Sequence, residues 1–301
     1  MSSAPSAAAW RAASVPTAGA VPDGTQMDTV ELLVRDLDAM TAYYQQAVTL
    51  DVLDQSGATA TLGRGSQKIM RLRQEKNLPD ANPRGAGLYH TAILFQDQHQ
   101  LAASLLSMAE RVPQTFTGSA DHLVSEAFYF TDPEGNGLEL YHDRPRDEWT
   151  VLPDGGVQMA SLALDPNAFL QQWLTADAAT AGDTAAIGHV HLQVGDIPSA
   201  KAFYVGVLGF DVTADLGTAL FVSAGGYHHH IGMNTWQSAG AGPRAASLGL
   251  GDVRIVVPTR DDVEALADRL RAHGVDGADD GRALRLADPW GTRLVITPGA
   301  A

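Results

Sequence analysis

The sequence predicts an α+β fold built from four βαβββ modules that form two barrel-like halves. Three observations predict it. A strand leading through a turn into a helix recurs four times, and in the first three copies that turn carries an Asp. Short alternating strands follow each helix. One turn, Asp132-Pro133-Glu134-Gly135-Asn136-Gly137, reappears as Asp288-Pro289-Trp290-Gly291-Thr292-Arg293. Internal repetition of this kind outweighs any single local reading.

Residues 1–26 are rich in Ala, Ser and Pro and lack the continuous apolar stretch of a signal peptide, so a disordered tail is expected there. The first module begins near Met27 with a strand at Val30–Val34. Its helix places Ala39, Tyr43 and Ala47 at helical spacing, and short strands follow at Thr59–Leu62 and Ile69–Arg73. The second module opens with the strand Leu88–Asp97 and a helix from about Leu101 to Arg111. It ends in Asp121–His142, an alternating strand, a dense turn and a second alternating strand. Residues 144–186 fit no module; Leu152-Pro153-Asp154-Gly155-Gly156 reads as a hairpin and Phe169–Leu174 as a short helix. The third module runs from Gly188–Asp196 through a helix at Pro198–Val207 to strands at Ala219–Val222 and His229–Gly232. The fourth has a strand at Asp252–Val257, a helix at Asp261–His273 and a last strand ending near Ile296. The expected organisation is therefore a tail (1–26), modules 1 and 2 (27–143), a connection (144–186), and modules 3 and 4 (187–298).

Composition narrows the function. A net charge of −15 repels phosphate backbones and anionic lipid, which argues against nucleic acid and membrane surfaces as partners. No apolar run approaches the roughly 18 residues of a membrane span. The chain has no cysteine, which removes disulfides, thiolate ligands and thiol nucleophiles together; a reducing cytoplasm fits.

The chemistry-bearing residues stand at matched positions. Leu138 and Leu140 share one face of the last strand of module 2, so Glu139 shares the other with Tyr141. A carboxylate within such an apolar strand requires a partner, and a metal ion is one. His90 lies seven residues before Asp97, and His189 seven before Asp196, so both take the same place on the first strand of their modules. Thr29 and Asp252 hold that place in modules 1 and 4, and Val295 stands where module 2 has Glu139. Two His and one Glu are the donor set of a facial triad, which leaves open positions on non-haem Fe(II), with Mn(II) an alternative.

The stretches LYHTAIL, DHLVSEAFYFTDPEGNGLELY, IGHVHLQVGDI and FVSAGGYHHHIGMNTW give the chain a resemblance to the vicinal oxygen chelate superfamily, the glyoxalase/bleomycin-resistance/extradiol dioxygenase fold. Within it the chain is most similar to the type I extradiol dioxygenases of the bacillus catechol 2,3-dioxygenase kind. The resemblance covers about Met27 to Pro298. It implies Fe(II)-dependent cleavage of catechol or a substituted catechol by dioxygen, giving a 2-hydroxymuconic semialdehyde-type product in aromatic catabolism. The metal ligands would be His90, His189 and Glu139. His229 would stand near the oxygen position as proton donor, with His122 and Tyr129 against the catechol oxygens. A homo-oligomer is also expected.

In a strand, His229 points away from the face shared by His228 and His230, and the choice of His229 rests on the resemblance. His191 shares the face of His189; His142 is a weaker candidate, and His99 and His273 read as solvated. Phe128, Phe221 and Trp236 are expected to line the pocket. The usual four-module enzymes of this kind build the metal site from modules 3 and 4, whereas here the intact positions lie in modules 2 and 3. The site thus requires the middle modules to pair. The competing readings are a glyoxalase-type metal isomerase or lyase, which favours paired glutamates, and a metal-free protein that sequesters a small molecule.

Overall fold

The computed structural model describes residues 20–153, 155–174 and 184–299. Module 1 comprises β1 (Gln26–Val34), α1 (Leu37–Ala42, continued by a wider turn through Ala47), β2 (Asp51–Ser56), β3 (Thr59–Arg64) and β4 (Gln67–Gln74). Module 2 comprises β5 (Gly87–Phe95), α2 (Gln98–Arg111), β6 (Phe116–Asp121), β7 (Ser125–Thr131) and β8 (Gly137–Asp143). The connection carries α3 (Pro166–Trp173). Module 3 comprises β9 (Ala185–Gln193), α4 (Ile197–Lys201, widened through Val207), β10 (Asp211–Asp215), β11 (Ala219–Ser223) and β12 (Ile231–Asn234). Module 4 comprises β13 (Gly249–Val257), α5 (Arg260–Ala272), β14 (Gly277–Asp279), β15 (Leu284–Ala287) and β16 (Arg293–Pro298).

These strands form two curled eight-stranded sheets, ordered β14-β15-β16-β13-β1-β4-β3-β2 and β10-β11-β12-β9-β5-β8-β7-β6. Module 1 therefore pairs with module 4, and module 2 with module 3. The antiparallel seams are β1 against β13 and β5 against β9. The sheets do not coincide with the sequence halves 27–143 and 187–298; each takes one module from either half. One buried cluster joins them, with Val30 and Leu32 of β1 in the same core as Val190 and Leu192 of β9.

The repeated turn explains how successive modules dock. Asp132 accepts backbone N–H bonds from Glu134 (3.0 Å) and Asn136 (2.8 Å), and Asp288 does the same from Trp290 (2.9 Å) and Thr292 (2.7 Å). The second carboxylate oxygen of each accepts a phenol from the preceding module: Tyr44 on Asp132 (2.9 Å) and Tyr204 on Asp288 (3.0 Å). A turn residue thus satisfies its own backbone and a long-range partner at once.

Asp36, Asp97 and Asp196 each cap their helix from the residue before it, and Thr259 closes a capping box on α5 with Asp262. On α1 the buried residues are Leu37, Met40 and Thr41, continued by Tyr43, Tyr44 and Ala47, whereas Ala39 is exposed. The widened turn rotates the face away from the one ideal spacing predicts.

The expected tail is shorter than residues 1–26. Val21 is buried and its N–H donates to the carbonyl of Leu208 (3.1 Å), and β1 starts at Gln26. The rest of that tail lies outside the described residues, as does Asp154 of the expected hairpin. The hairpin's flanks pair as Val151 with Val157.

Gly188 shows how tightly β9 meets β8. A Cβ there would stand 1.6 Å from the Tyr141 hydroxyl oxygen. That hydroxyl is fixed by Tyr227 at 2.8 Å and cannot simply swing aside. Gly188→Ala is expected to lower the unfolding free energy by about 1–3 kcal/mol, read from denaturant melts; an unchanged midpoint would contradict this packing.

Candidate metal centre and pocket

β5 lies between β8 and β9, and its register brings the three candidate ligands together. Ala92 stands opposite Glu139 on β8 and opposite His189 on β9. His90 is two residues along the same face of β5. The small side chain of Ala92 leaves that face free for the three larger ones. All three are buried, with Glu139 and His189 at 2 % exposure and His90 at 6 %.

Their donor atoms converge. His90 Nε2 is 2.9 Å and His189 Nε2 3.1 Å from Glu139 Oε2, and the two nitrogens are 3.4 Å apart. Two imidazole nitrogens this close, facing one carboxylate oxygen, repel unless protons or a cation lie between them. The edges match one face of an octahedron around a small divalent ion, about 3 Å for bonds of about 2.1 Å. Neutral nitrogen and carboxylate oxygen are the donors such an ion takes. Among the described residues this is the one group of three metal-competent side chains so placed.

The electrostatics suit ligands. Burial opposes ionisation of Glu139, but His189 and His90 outweigh it and hold the carboxyl well below its usual range. Burial pushes His189 down to about 4 against the pull of Glu139, so its ring is neutral near pH 7 with a lone pair to give. Its Nδ1 is buried without a hydrogen-bond partner among the described residues. The ring is held instead by aromatic contacts, His229 at 4.0 Å and Tyr141 at 5.0 Å between centroids.

The three side chains lie in the wall of a cavity of about 690 Å³ that also receives His122, Tyr129, His191, Phe221, His229 and Trp236. His122 and Tyr129 act as a unit: Nε2 and the phenol oxygen are 2.6 Å apart, and Nδ1 is 2.7 Å from the carbonyl of Ala160. A carbonyl only accepts, so Nδ1 carries a proton, and in the neutral ring Nε2 accepts from Tyr129. Burial and then the Glu139 carboxylate raise the Tyr129 phenol well above its usual value. The turn presenting His122 is strained, with Leu123 in the left-handed region at φ 70°. Asn234 donates to His191 Nε2 at 3.0 Å, and burial, then His90 and His189, hold His191 well below the imidazole range.

His228, His229 and His230 precede β12 rather than belong to it. Strand alternation therefore does not orient them; a turn through Gly225 and Gly226, both at positive φ, and hydrogen bonds do. His229 lines the cavity, while His228 and His230 face other partners. The sequence reading missed the chain of groups behind His229. Its Nδ1 is 2.7 Å from His228 Nδ1, and His228 Nε2 is 2.8 Å from Asp143 Oδ1. Tyr227 donates to the other oxygen of Asp143 at 2.8 Å and is bonded in turn to Tyr141. With His228 Nε2 donating to the carboxylate, the tautomer that completes the chain accepts at His228 Nδ1 and donates from His229 Nδ1. Nε2 of His229 is then left with a free lone pair. Burial, then His189 and His228, hold His229 well below the imidazole range. Asp143 follows Glu139 by four residues, just beyond the signature stretch, and nothing in one strand shows what approaches it from module 3.

Of the expected lining, Phe221 and Trp236 border the cavity and Phe128 does not. Phe128 is on the other face of β7, packed on Phe169 of α3 at 4.9 Å. His142 is 2.9 Å from the carbonyl of Phe95, His99 is 2.5 Å from that of Trp173, and His273 ends α5; none lines the cavity.

His230 gives the metal-free protein an acid limit. Its Nδ1 accepts the Ala224 N–H at 3.2 Å, so a proton there would face another donor. Burial, then His228, lowers it from 6.5 to about 4. Between these values the unfolded chain takes up a proton that the folded ring refuses. Stability present above pH 6.5 is thus lost as pH falls towards 4, by about 3 kcal/mol for this ring. Denaturant melts across this range should show it, with a shallower slope, by about one proton, in His230→Gln.

The fold is shared with known proteins. A family model for the Glyoxalase/Bleomycin resistance protein/Dioxygenase superfamily matches residues 26–140 and 186–296. A curated catechol-2,3-dioxygenase from Bacillus subtilis (strain 168) is 34% identical over 272 residues, 89% of this chain and 95% of that protein. A solved structure from Bacillus subtilis subsp. subtilis strain 168 superposes with a TM-score of 0.61 at 11% identity, covering 92% of this chain and 86% of the other. Glyoxalase I from Zea mays superposes with a TM-score of 0.53 at 17% identity, covering 91% and 92%. At such identities the two structures establish a shared fold. The paired modules, the family match and the identity over nearly the full length together show that this chain belongs to the glyoxalase/bleomycin resistance/dioxygenase superfamily, the vicinal oxygen chelate proteins.

Proposed function

We propose that the protein is a metal-dependent extradiol dioxygenase that opens catechol, or a substituted catechol, beside its two hydroxyls. The observation that carries this reading is the convergence of His90, His189 and Glu139 in the wall of a cavity that also holds His229, His122 and Tyr129. The 34% identical relative named catechol-2,3-dioxygenase supports the substrate class.

His90, His189 and Glu139 would hold Fe(II), with Mn(II) an alternative for the same donors. The ion, when bound, would supply Lewis-acid and redox chemistry towards the catechol oxygens and dioxygen. The protein's own groups manage protons and position. His229 Nε2, with its free lone pair, takes a proton from a substrate hydroxyl and returns it later in the reaction. Asp143, through His228, keeps that nitrogen unprotonated at rest. The expected proton donor is therefore a base first, because its other nitrogen is committed to His228. The Tyr129 phenol, kept protonated by its raised pKa, turns its proton from His122 Nε2 to the second catechol oxygen. Phe221 and Trp236 give the aromatic ring apolar walls.

A glyoxalase-type site would favour a second Glu on the last strand of module 3. The position equivalent to Glu139 there is Gly232, close against the His191 ring. That observation favours the dioxygenase reading.

The decisive experiment is oxygen uptake on adding catechol after anaerobic Fe(II) loading, with the yellow ring-opened product followed by absorbance. Uptake and colour should appear together. Iron bound at one per chain without turnover of a catechol panel would overturn the substrate class. No bound metal and no uptake would overturn the dioxygenase.

A further inference from the structure

We propose that the cleft of the other sheet, between modules 1 and 4, binds a small polyanion carrying carboxylate or phosphate groups. This cavity of about 570 Å³ is in the size range of small-molecule sites. It is lined by Arg71 and Arg73 of β4, Arg285 of β15 and Arg293 of β16, with Glu31 of β1 and Asp252 of β13 as its carboxylates.

The positions that hold the metal ligands in modules 2 and 3 are occupied here by Thr29 and Asp252, and the place of Glu139 by Arg71 and Val295. One of these positions, Arg71, presents a guanidinium where module 2 presents a carboxylate. With the side chains paired to the lining included, five guanidinium groups (Arg254 the fifth) meet four carboxylates (Glu75 and Asp280 added), a surplus of one positive charge in a chain whose net charge is −15. An anion is drawn to a concave positive site against such a background.

The contacts within the cleft leave donors to spare. Glu31 is buried, and its oxygens are 3.7 Å from Arg71, 3.3 Å from Arg73 and 3.7 Å from Arg293. A formed charge-assisted hydrogen bond is about 2.7–2.9 Å. Three guanidinium groups thus approach one carboxylate without closing on it, and Arg73 closes instead on Glu75 through Nη1. Arg293 meets Asp252 through Nε at 2.6 Å, and Arg285 meets the exposed Asp280 through Nη1 at 2.5 Å. Each of these two forks keeps further N–H groups, and planar forks recognise carboxylate and phosphate in two-point fashion. Were the cluster only an ion-pair network within the protein, Glu31 would be expected to form short bonds, because a buried carboxylate needs them.

The test is calorimetric titration of the full chain with sulfate and, separately, with succinate. One site per chain is expected for at least one of them. Arg71→Gln and Arg285→Gln should each weaken binding about tenfold. Arg285→Gln carries little risk to the fold, since its partner Asp280 is exposed. Glu31→Gln should tighten binding by removing the competing carboxylate, while Glu139→Gln should leave it unchanged, which separates this cleft from the metal centre. Sulfate alone would indicate a phosphate ligand and succinate alone a carboxylate. No binding of either anion at millimolar concentration, or binding that survives both arginine variants, would overturn the proposal.

Discussion

Glu139→Gln is expected to strip the centre of metal and remove oxygen uptake, with the fold retained. In the proposed centre Glu139 would supply the charged ligand; its Oε2 lies 2.9 Å and 3.1 Å from the two imidazole nitrogens. A carboxamide is nearly isosteric but neutral, so the cation would rest on two neutral imidazoles alone. Loss of a group supporting a ligand already costs about 10–100-fold in affinity or activity. Loss of the ligand itself should exceed that. The metal-free variant should remain folded, because the amide can hydrogen-bond where the carboxylate did and the buried charge is gone. Metal content after gel filtration and oxygen uptake are the two readouts. Stoichiometric metal with full uptake would move the centre elsewhere.

His229→Phe should leave the metal in place and lower kcat by about 10²–10⁴-fold, the range for loss of a positioned acid–base group. Phenylalanine keeps the ring contacts with His189 and Phe221. What it removes is Nε2, together with the Nδ1 that meets His228. Asp143→Asn tests the groups behind it: the amide can no longer serve as a full acceptor for His228, which frees His228 to turn its proton towards His229. A smaller fall in kcat is expected there, with little change in KM, because Asp143 does not line the cavity. Unchanged turnover in His229→Phe would remove His229 from the chemistry. Loss of metal with it would make His229 a structural support of His189.

The sequence by itself determined what short-range rules can write. The Asp-led turns before the helices of modules 1 to 3, the doubled Asp-Pro turn, and the placement of His90 and His189 seven residues before their Asp all follow from local spacing. So does the pocket-facing side of Glu139, since Leu138 and Leu140 claim the opposite side by alternation. Where local geometry bends, the reading bent with it. The widened turn after α1 exposed Ala39, and the turn at Gly225 and Gly226 took the three histidines off the strand.

Only the tertiary structure decided which modules meet. His90 and His189 are 99 residues apart, and their contact depends on β5 pairing with β9 rather than with a strand of module 1. No periodicity within a module records that choice, because all four present similar edges. The same holds for Asp143, which meets His228 85 positions away, and for the arginines of β4 and β16, which face one another only because modules 1 and 4 close into a sheet. Spacing along a strand sets the face a side chain takes. What stands across from that face is set by long-range docking, where burial of the whole apolar surface selects one pairing among several locally equivalent ones.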